Sequence, residues 1–276
     1  MAGFSVSEAP MRTIWAPVDY NNATGQTLYV GQLVVGGAVG SCSGSVKAWN
    51  PAGVGDTTAD QVPFGVIIGT NNKEPVYNST YKAEYITSVQ SQADLLARKF
   101  ALAEGQFSKN DPQALVKVAV LDPTTVLKGR IFTTSYGTAV GVVTVTAAGV
   151  STTGAGFTSS AADHTPVAYN ATVYGRSGAN KGLYRVTYDT SATVRTVYQY
   201  FPYDIGAGDT FAAVNISNLG TCKMMTDTAG TFIDNAAAVG TTNYLWIDVL
   251  ELNLETAGQE FALFRINPLQ FLSLRA

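Results

Sequence analysis

Asp248 and Glu251, with Trp246 beside them, are the two carboxylates of this sequence best spaced to act as a pair. A glycosidase needs no more than two such groups, one as acid and one as base or nucleophile. On a regular strand, residues three apart face opposite sides, so pairing them requires a bulged or helical backbone. Carboxylates satisfied by structural neighbours are the competing reading. His164 is the only histidine. That removes Ser-His-Asp triads, Cys-His dyads and multi-histidine zinc sites. Its setting, Ala161-Ala-Asp-His-Thr-Pro166, reads as a loop.

The remaining chemistry is sparse. Cys42 and Cys222 lie in different halves and read as small buried thiols; a disulfide between them has no support in a chain expected to be made in the cytoplasm. The glycine-rich stretches at Gly36-Gly37 and Gly149–Gly156 lack the Gly-Lys-Ser/Thr of a phosphate loop and the strand–turn–helix setting of a dinucleotide fold. Asp227, Asp234 and Asn235 fall in a Thr/Gly-rich loop without calcium-loop spacing, so turn capping is expected there rather than a cation. The sequons at Asn22, Asn78, Asn170 and Asn215 read as chance matches in Thr-rich sequence. Among the 14 tyrosines, Tyr174, Tyr184, Tyr188, Tyr198 and Tyr200 sit in strand-like runs, where cross-strand packing is expected; sugar binding is the minority alternative. No catalytic, cofactor-binding or metal-ligating residue is assigned, and no cofactor is expected.

The elements that would carry these residues are mostly strands. Thr27–Val35 reads as a strand broken by Gly31, and 62–69 as another. Ala114–Leu121 puts Val116, Val118 and Val120 on one face and is closed by Asp122-Pro123, after which 126–133 starts a new strand. Further strands are expected over 137–146, 166–174, 183–189, 194–201, 209–216, 244–254 and 260–266, with a hairpin turn at Asp189–Ala192. In Tyr244–Glu255, Leu245, Ile247 and Val249 share one parity while Leu250, Leu252 and Leu254 share the other. A bulge near Val249 or Leu250, burial on both faces, or a short helix would reconcile the two sets. One helix is predicted near Ser91–Glu104, from a capping box at Ser91 and Asp94, a stripe of Leu95, Leu96, Phe100 and Leu102, and a stop at Gly105.

The expected fold is therefore mostly β, with β-barrel or β-sandwich lobes and one short α-helix. The expected division is an extended N-terminal arm over 1–20, a β-barrel-like domain with the helix over 21–133, and a β-sandwich-like domain over 134–276. Pro10 and Pro17 and poor alternation suggest the arm.

Composition narrows the function. Charged residues make up 13% of the chain, against about 25% in soluble domains generally. A surface of Thr, Ser, Asn, Gln, Gly and Ala is easily desolvated, which suits burial against neighbours in an oligomer or lattice. The net charge is −3 and cations are scattered singly, so no nucleic-acid footprint is expected. No apolar segment approaches the roughly 20 residues that span a bilayer, so no membrane contact is expected. Met1–Trp15 carries Glu8 and Pro10 and lacks an apolar signal core, from which synthesis in a host cytoplasm without an export route is expected.

Tyr29-Val-Gly-Gln-Leu-Val34, followed by Pro63-Phe-Gly-Val-Ile67 and a Val-rich strand, resembles the small β-barrels of tailed-bacteriophage capsid decoration, or cement, proteins. Phe201-Pro-Tyr-Asp204, Gly208-Asp-Thr-Phe211 and Phe264-Arg-Ile-Asn-Pro268 are similar in style to phage virion proteins generally. The first stretch covers about a third of the chain, and its motifs are short. The chain departs from the smallest members in its length and its extra β half. The resemblance implies a viral structural protein on the capsid surface of a virion, without catalytic residues. Its partners would be the major capsid protein and itself, as a homodimer or homotrimer. A phage tail, fibre or receptor-binding protein is the competing class, and a carbohydrate-binding or glycoside-active β domain the third. Apolar residues near the chain ends, Phe4, Ile14, Trp15, Leu269, Phe271 and Leu272, are the candidate assembly contacts.

Overall fold

The computed structural model describes residues 3–8, 12–18, 27–36, 45–49, 63–72, 76–87, 115–133, 137–147, 156–159, 171–191, 193–216, 220–224, 232–235 and 245–268. All the secondary-structure elements named below are strands, so the expected β class holds. The helix predicted at Ser91–Glu104 lies outside the described residues. The chain forms two compact units, the first over Met1–Leu127 and the second mainly over Lys128–Asp227 and Phe232–Asn267.

Unit 1 contains β1 (Ser5–Glu8), β2 (Thr13–Pro17), β3 (Thr27–Tyr29), β4 (Leu33–Gly36), β5 (Val46–Ala48), β6 (Gly65–Thr70), β7 (Tyr77–Asn78), β8 (Ala83–Thr87) and β9 (Leu115–Val120). Five of them form an antiparallel sheet in the order β2-β9-β6-β4-β5. Val18, just past β2, makes an isolated bridge with Val46 in β5, so the two edge strands of this open sheet approach each other at one end. Ala16, Val18, Val34, Val46, Ile67, Val116 and Val118 form its core with Leu28 and Ile86 from the second sheet, β3-β8-β7. The break expected at Gly31 is a turn between β3 and β4, with Gly31 at φ 89°. That left-handed conformation favours glycine. A Cβ there would also overlap Gly3, where the chain crosses the turn and the Phe4 N–H donates to the Gly31 carbonyl at 2.8 Å.

The described residues among the first twenty are built into the fold. Phe4 is 3% exposed, and Thr13–Pro17 pairs residue by residue with β9, from Thr13 opposite Ala119 to Pro17 opposite Leu115. Pro17, one of the two prolines that suggested an extended arm, is compatible with an edge strand, where one side of the backbone needs no ladder partner, and Pro10 lies outside the described residues. Pro17 closes such a strand.

Unit 2 begins within β10 (Val126–Phe132) and continues through β11 (Val142–Ala147), β12 (Gly156–Ser159), β13 (Thr172–Gly175), β14 (Gly182–Ser191) and β15 (Val194–Val197). It is completed by β16 (Thr210–Val214), β17 (Gly220–Met224), β18 (Ile233–Asp234), β19 (Leu245–Asn253) and β20 (Phe261–Ile266). Where a sandwich was expected, β11-β12-β15-β14-β13-β16 close into a barrel, because Val142–Thr144 pairs with Thr210–Ala212 and joins last strand to first. Its core holds Val143, Val145, Val173, Val186 and Val197 around Tyr184, Phe201 and Phe211. The Tyr184 and Phe201 ring centroids lie 4.5 Å apart, and Phe201 and Phe211 5.7 Å. Beside the barrel, β10, β20, β19 and β17 neighbour one another in that order, with β18 parallel to β10.

The parity conflict in β19 is settled by a bulge. Val249 lies opposite Phe264 and Glu251 opposite Leu263, leaving Leu250 as the extra residue. Ile247 and Val249 before it, and Leu252 and Leu254 after it, are all buried, while Leu250 is 47% exposed. One inserted residue thus lets both sets reach the same core.

Candidate interaction surface

The bulge also decides what Asp248 and Glu251 can do. It places both on the side of β19 opposite the buried residues, the arrangement a regular strand would forbid. Asp248 is already engaged: Arg265 Nε donates to Oδ2 at 3.1 Å and Asn267 Nδ2 to Oδ1 at 2.9 Å. Its two oxygens hold β20 and the chain just after it, a structural task. A second carboxylate, Glu260, is fully buried and ion-paired with Arg176, whose Nε also donates to the Leu254 carbonyl at 2.8 Å. Tyr174 adds a hydroxyl donated to Glu255 at 3.0 Å, and burial, with Glu255 next, raises its phenol above the ordinary value. This network fastens the β19–β20 connection to β13. A buried pair of this kind is costly to break and contributes modestly when intact.

The other chemically suggestive residues are accounted for similarly. Asn235 accepts the Asn215 N–H at 2.7 Å through Oδ1 and donates from Nδ2 to the Ala213 carbonyl at 3.3 Å. Asn215 Nδ2 donates back to the Asn235 carbonyl at 3.0 Å, so this sequon asparagine is tied into the fold. Asn78 Oδ1 accepts from the Thr80 and Tyr81 N–H groups, both at 2.9 Å, a turn-capping role. His164, Cys42, Asp227, Asn22 and Asn170 lie outside the described residues. Cys222 sits on β17 opposite Ile247. Among the described residues no three His, Cys, Asp or Glu side chains converge to hold a metal ion.

The candidate assembly contacts divide. Phe4 is buried within the fold, and Ile14 packs partly against the unit 1 core. Trp15 remains on the surface, 54% exposed, on β2 opposite Lys117 of β9. Leu269, Phe271 and Leu272 lie outside the described residues.

A larger aromatic surface follows β15. Tyr198, Tyr200 and Tyr203 are 78%, 73% and 59% exposed, whereas Tyr184 has the buried role expected of a strand tyrosine. The strand expected over 194–201 ends at Val197, so cross-strand packing does not cover Tyr198 or Tyr200. Between them and Tyr203 lies Phe201, buried in the barrel. The backbone of this segment is pinned at both ends. The Tyr198 N–H donates to the Arg185 carbonyl at 2.8 Å, and the buried Asn180 clasps Tyr203. Asn180 accepts the Tyr203 N–H at 3.0 Å and donates to its carbonyl at 2.9 Å. The sequence signal was Pro202, next to a Phe flanked by tyrosines: one aromatic to anchor and a residue that stops the strand.

No protein family, curated protein or solved structure matches this chain.

Proposed function

We propose that this chain is a non-enzymatic virion structural protein that binds the outside of a tailed-phage capsid and stabilises it as a decoration, or cement, protein. The observation that carries this reading is the antiparallel sheet of unit 1. The two stretches that resemble decoration proteins form adjacent antiparallel strands there, with Leu33 opposite Val66 and Val34 opposite Gly65. The Val18–Val46 bridge brings the edges of that sheet together. Edges drawn together at one end leave less unpaired backbone as a template for runaway strand pairing, an advantage in a crowded lattice. The charge content of 13% supports the same reading, since little charge must be desolvated when the chain packs against a shell or another copy. Trp15 provides an exposed aromatic anchor of the kind that dominates interface energetics.

The test is coexpression with the major capsid gene nearest it in its genome, followed by sedimentation of assembled shells. The chain is expected to pellet with shells at a fixed stoichiometry and to remain in the supernatant without them. Trp15→Ala is expected to weaken that association while leaving the far-UV spectrum unchanged. A chain that stays in the supernatant with assembled shells present overturns the proposal. Deleting residues 1–16 is a poor substitute for the point variant, because it removes β2 from the sheet and Phe4 from the core.

A further inference from the structure

Beyond attachment to a shell, the segment Tyr198–Tyr203 has the features of a ligand surface, and we infer that it binds a neutral polysaccharide. Three tyrosine rings stand in solvent within six residues, and their hydroxyls have no protein partner among the described residues. Among the described residues, Tyr77 is exposed alone, while Tyr184 packs on Phe201 and Phe211, Tyr174 bonds to Glu255, and Tyr29 packs against Tyr81 and Tyr85. Leaving three rings exposed is a different use of the same residue type.

The segment is also anchored. Phe201 is sunk into the barrel, and Asn180 holds Tyr203 by both its N–H and its carbonyl. Rings carried on a fixed backbone lose little conformational freedom when a ligand arrives, so even weak stacking becomes net affinity. A tyrosine ring offers a flat apolar face and a hydroxyl at its rim. A hexose offers the complement, a C–H face bordered by hydroxyls. Charge selects among occupants. From Tyr198 to Tyr203 the sequence Tyr-Gln-Tyr-Phe-Pro-Tyr carries no group charged at neutral pH, and Arg185, bonded through its backbone to Tyr198 and Gln199, and Asp204, next in the chain, are of opposite sign, so an anionic polymer would meet no cationic cluster there. A second copy of the chain would meet little aliphatic surface, since Gln199 and Pro202 fill the remaining positions and Phe201 is already buried.

The experiment is native affinity electrophoresis of the full chain in gels containing dextran, galactomannan or laminarin, with alginate as the anionic comparison. Retardation is expected in at least one neutral gel. It should fall about tenfold in apparent affinity for Tyr198→Ala/Tyr200→Ala, and be largely retained by Tyr198→Phe/Tyr200→Phe, which keep the rings. Sedimentation velocity of the same variants reads self-association, and the near-UV spectrum confirms that both fold. Absence of retardation in all three neutral gels overturns the inference, as does retardation that the alanine pair leaves unchanged or that is stronger in alginate. Concentration-dependent self-association abolished by the alanine pair would assign the surface to a second copy and overturn it equally. None of these results depends on whether the chain pellets with capsids.

Discussion

Among the described residues, the core of the sheet in unit 1 is aliphatic, from Ala16 and Val18 through Ile67 to Val116 and Val118, whereas the barrel of unit 2 holds three aromatic rings as well. The first has five strands and the second six. Closing six strands encloses a lumen whose diameter grows with strand number, so the Val-rich inner faces that suffice for the open sheet leave space inside the barrel. Tyr184 and Phe211 come from strands β14 and β16. Phe201 does not: it is supplied by the connection after β15, drawn inward as a plug. The exposed tyrosines on either side of it are the outer half of that arrangement. Filling the lumen and presenting an anchored aromatic surface are two results of one local solution.

The sharpest way to break this comparison is to remove a ring. Phe211→Ala, at a fully buried position touching both other aromatics, is expected to destabilise unit 2 by about 3–5 kcal/mol in urea unfolding. A loss under about 1 kcal/mol would mean that the lumen collapses to fill the gap and that strand number does not set the need for rings. Unit 1 should fail in the opposite way, by overfilling. A Cβ on Gly65 would overlap Val118 Cγ1 and come within 2.7 Å of the Ala119 carbonyl oxygen. Gly65→Ala is therefore expected to cost about 1–3 kcal/mol, although alanine normally favours the folded state over glycine by restricting the unfolded chain. A neutral or stabilising result would show that β6 and β9 can separate without loss.

The smallest effect expected is electrostatic and sits in the turn after β9. Thr124 donates its hydroxyl to Asp122 Oδ1 at 2.6 Å and its N–H at 2.7 Å, and Thr125 adds its hydroxyl at 3.1 Å. The Thr124 hydroxyl above all holds this carboxyl below the ordinary aspartate value, against a weaker opposing effect of burial. A folded-state pKa below the unfolded one contributes stability above the unfolded value, near about 4, and loses it as pH falls through the folded value. The thermal midpoint of Asp122→Asn should trail that of the parent at pH 6 and converge with it as the pH is lowered below about 4. A gap that stays constant across that range would remove the carboxylate from the account.

Much of this architecture was legible where a local rule had only one outcome. Gly31 was legible as a break in the first β run, which the structure makes a turn, and the swap of parity within Tyr244–Glu255 left a bulge, two-sided burial or a short helix, of which the structure shows the bulge, at Leu250. Failures came where the same residues fit two environments. Pro17 suited an extended arm as well as an edge strand, and only its pairing with Leu115 of β9 decides between them. Tyr198 and Tyr200 continued the β pattern of residues 194–197, but period-two alternation does not say where a strand stops. The Asn180 clasp on Tyr203 was out of reach, since it joins residues 23 apart that share no pattern.

The bulge in β19 has one more consequence, for how this strand tolerates insertion and deletion. A strand has a reading frame of two, and losing or gaining a residue shifts every side chain beyond the edit to the other face. With Leu250 omitted, the sequence Ile247-Asp-Val-Glu-Leu-Asn-Leu254 alternates without fault, and the partners on either side, Phe264 and Leu263, are already consecutive. Leu250 is thus the one position in the stretch whose deletion keeps the frame. Removing Asp248 or Leu252 instead would turn core leucines or isoleucine outward, so length variation in this strand has a single permitted address.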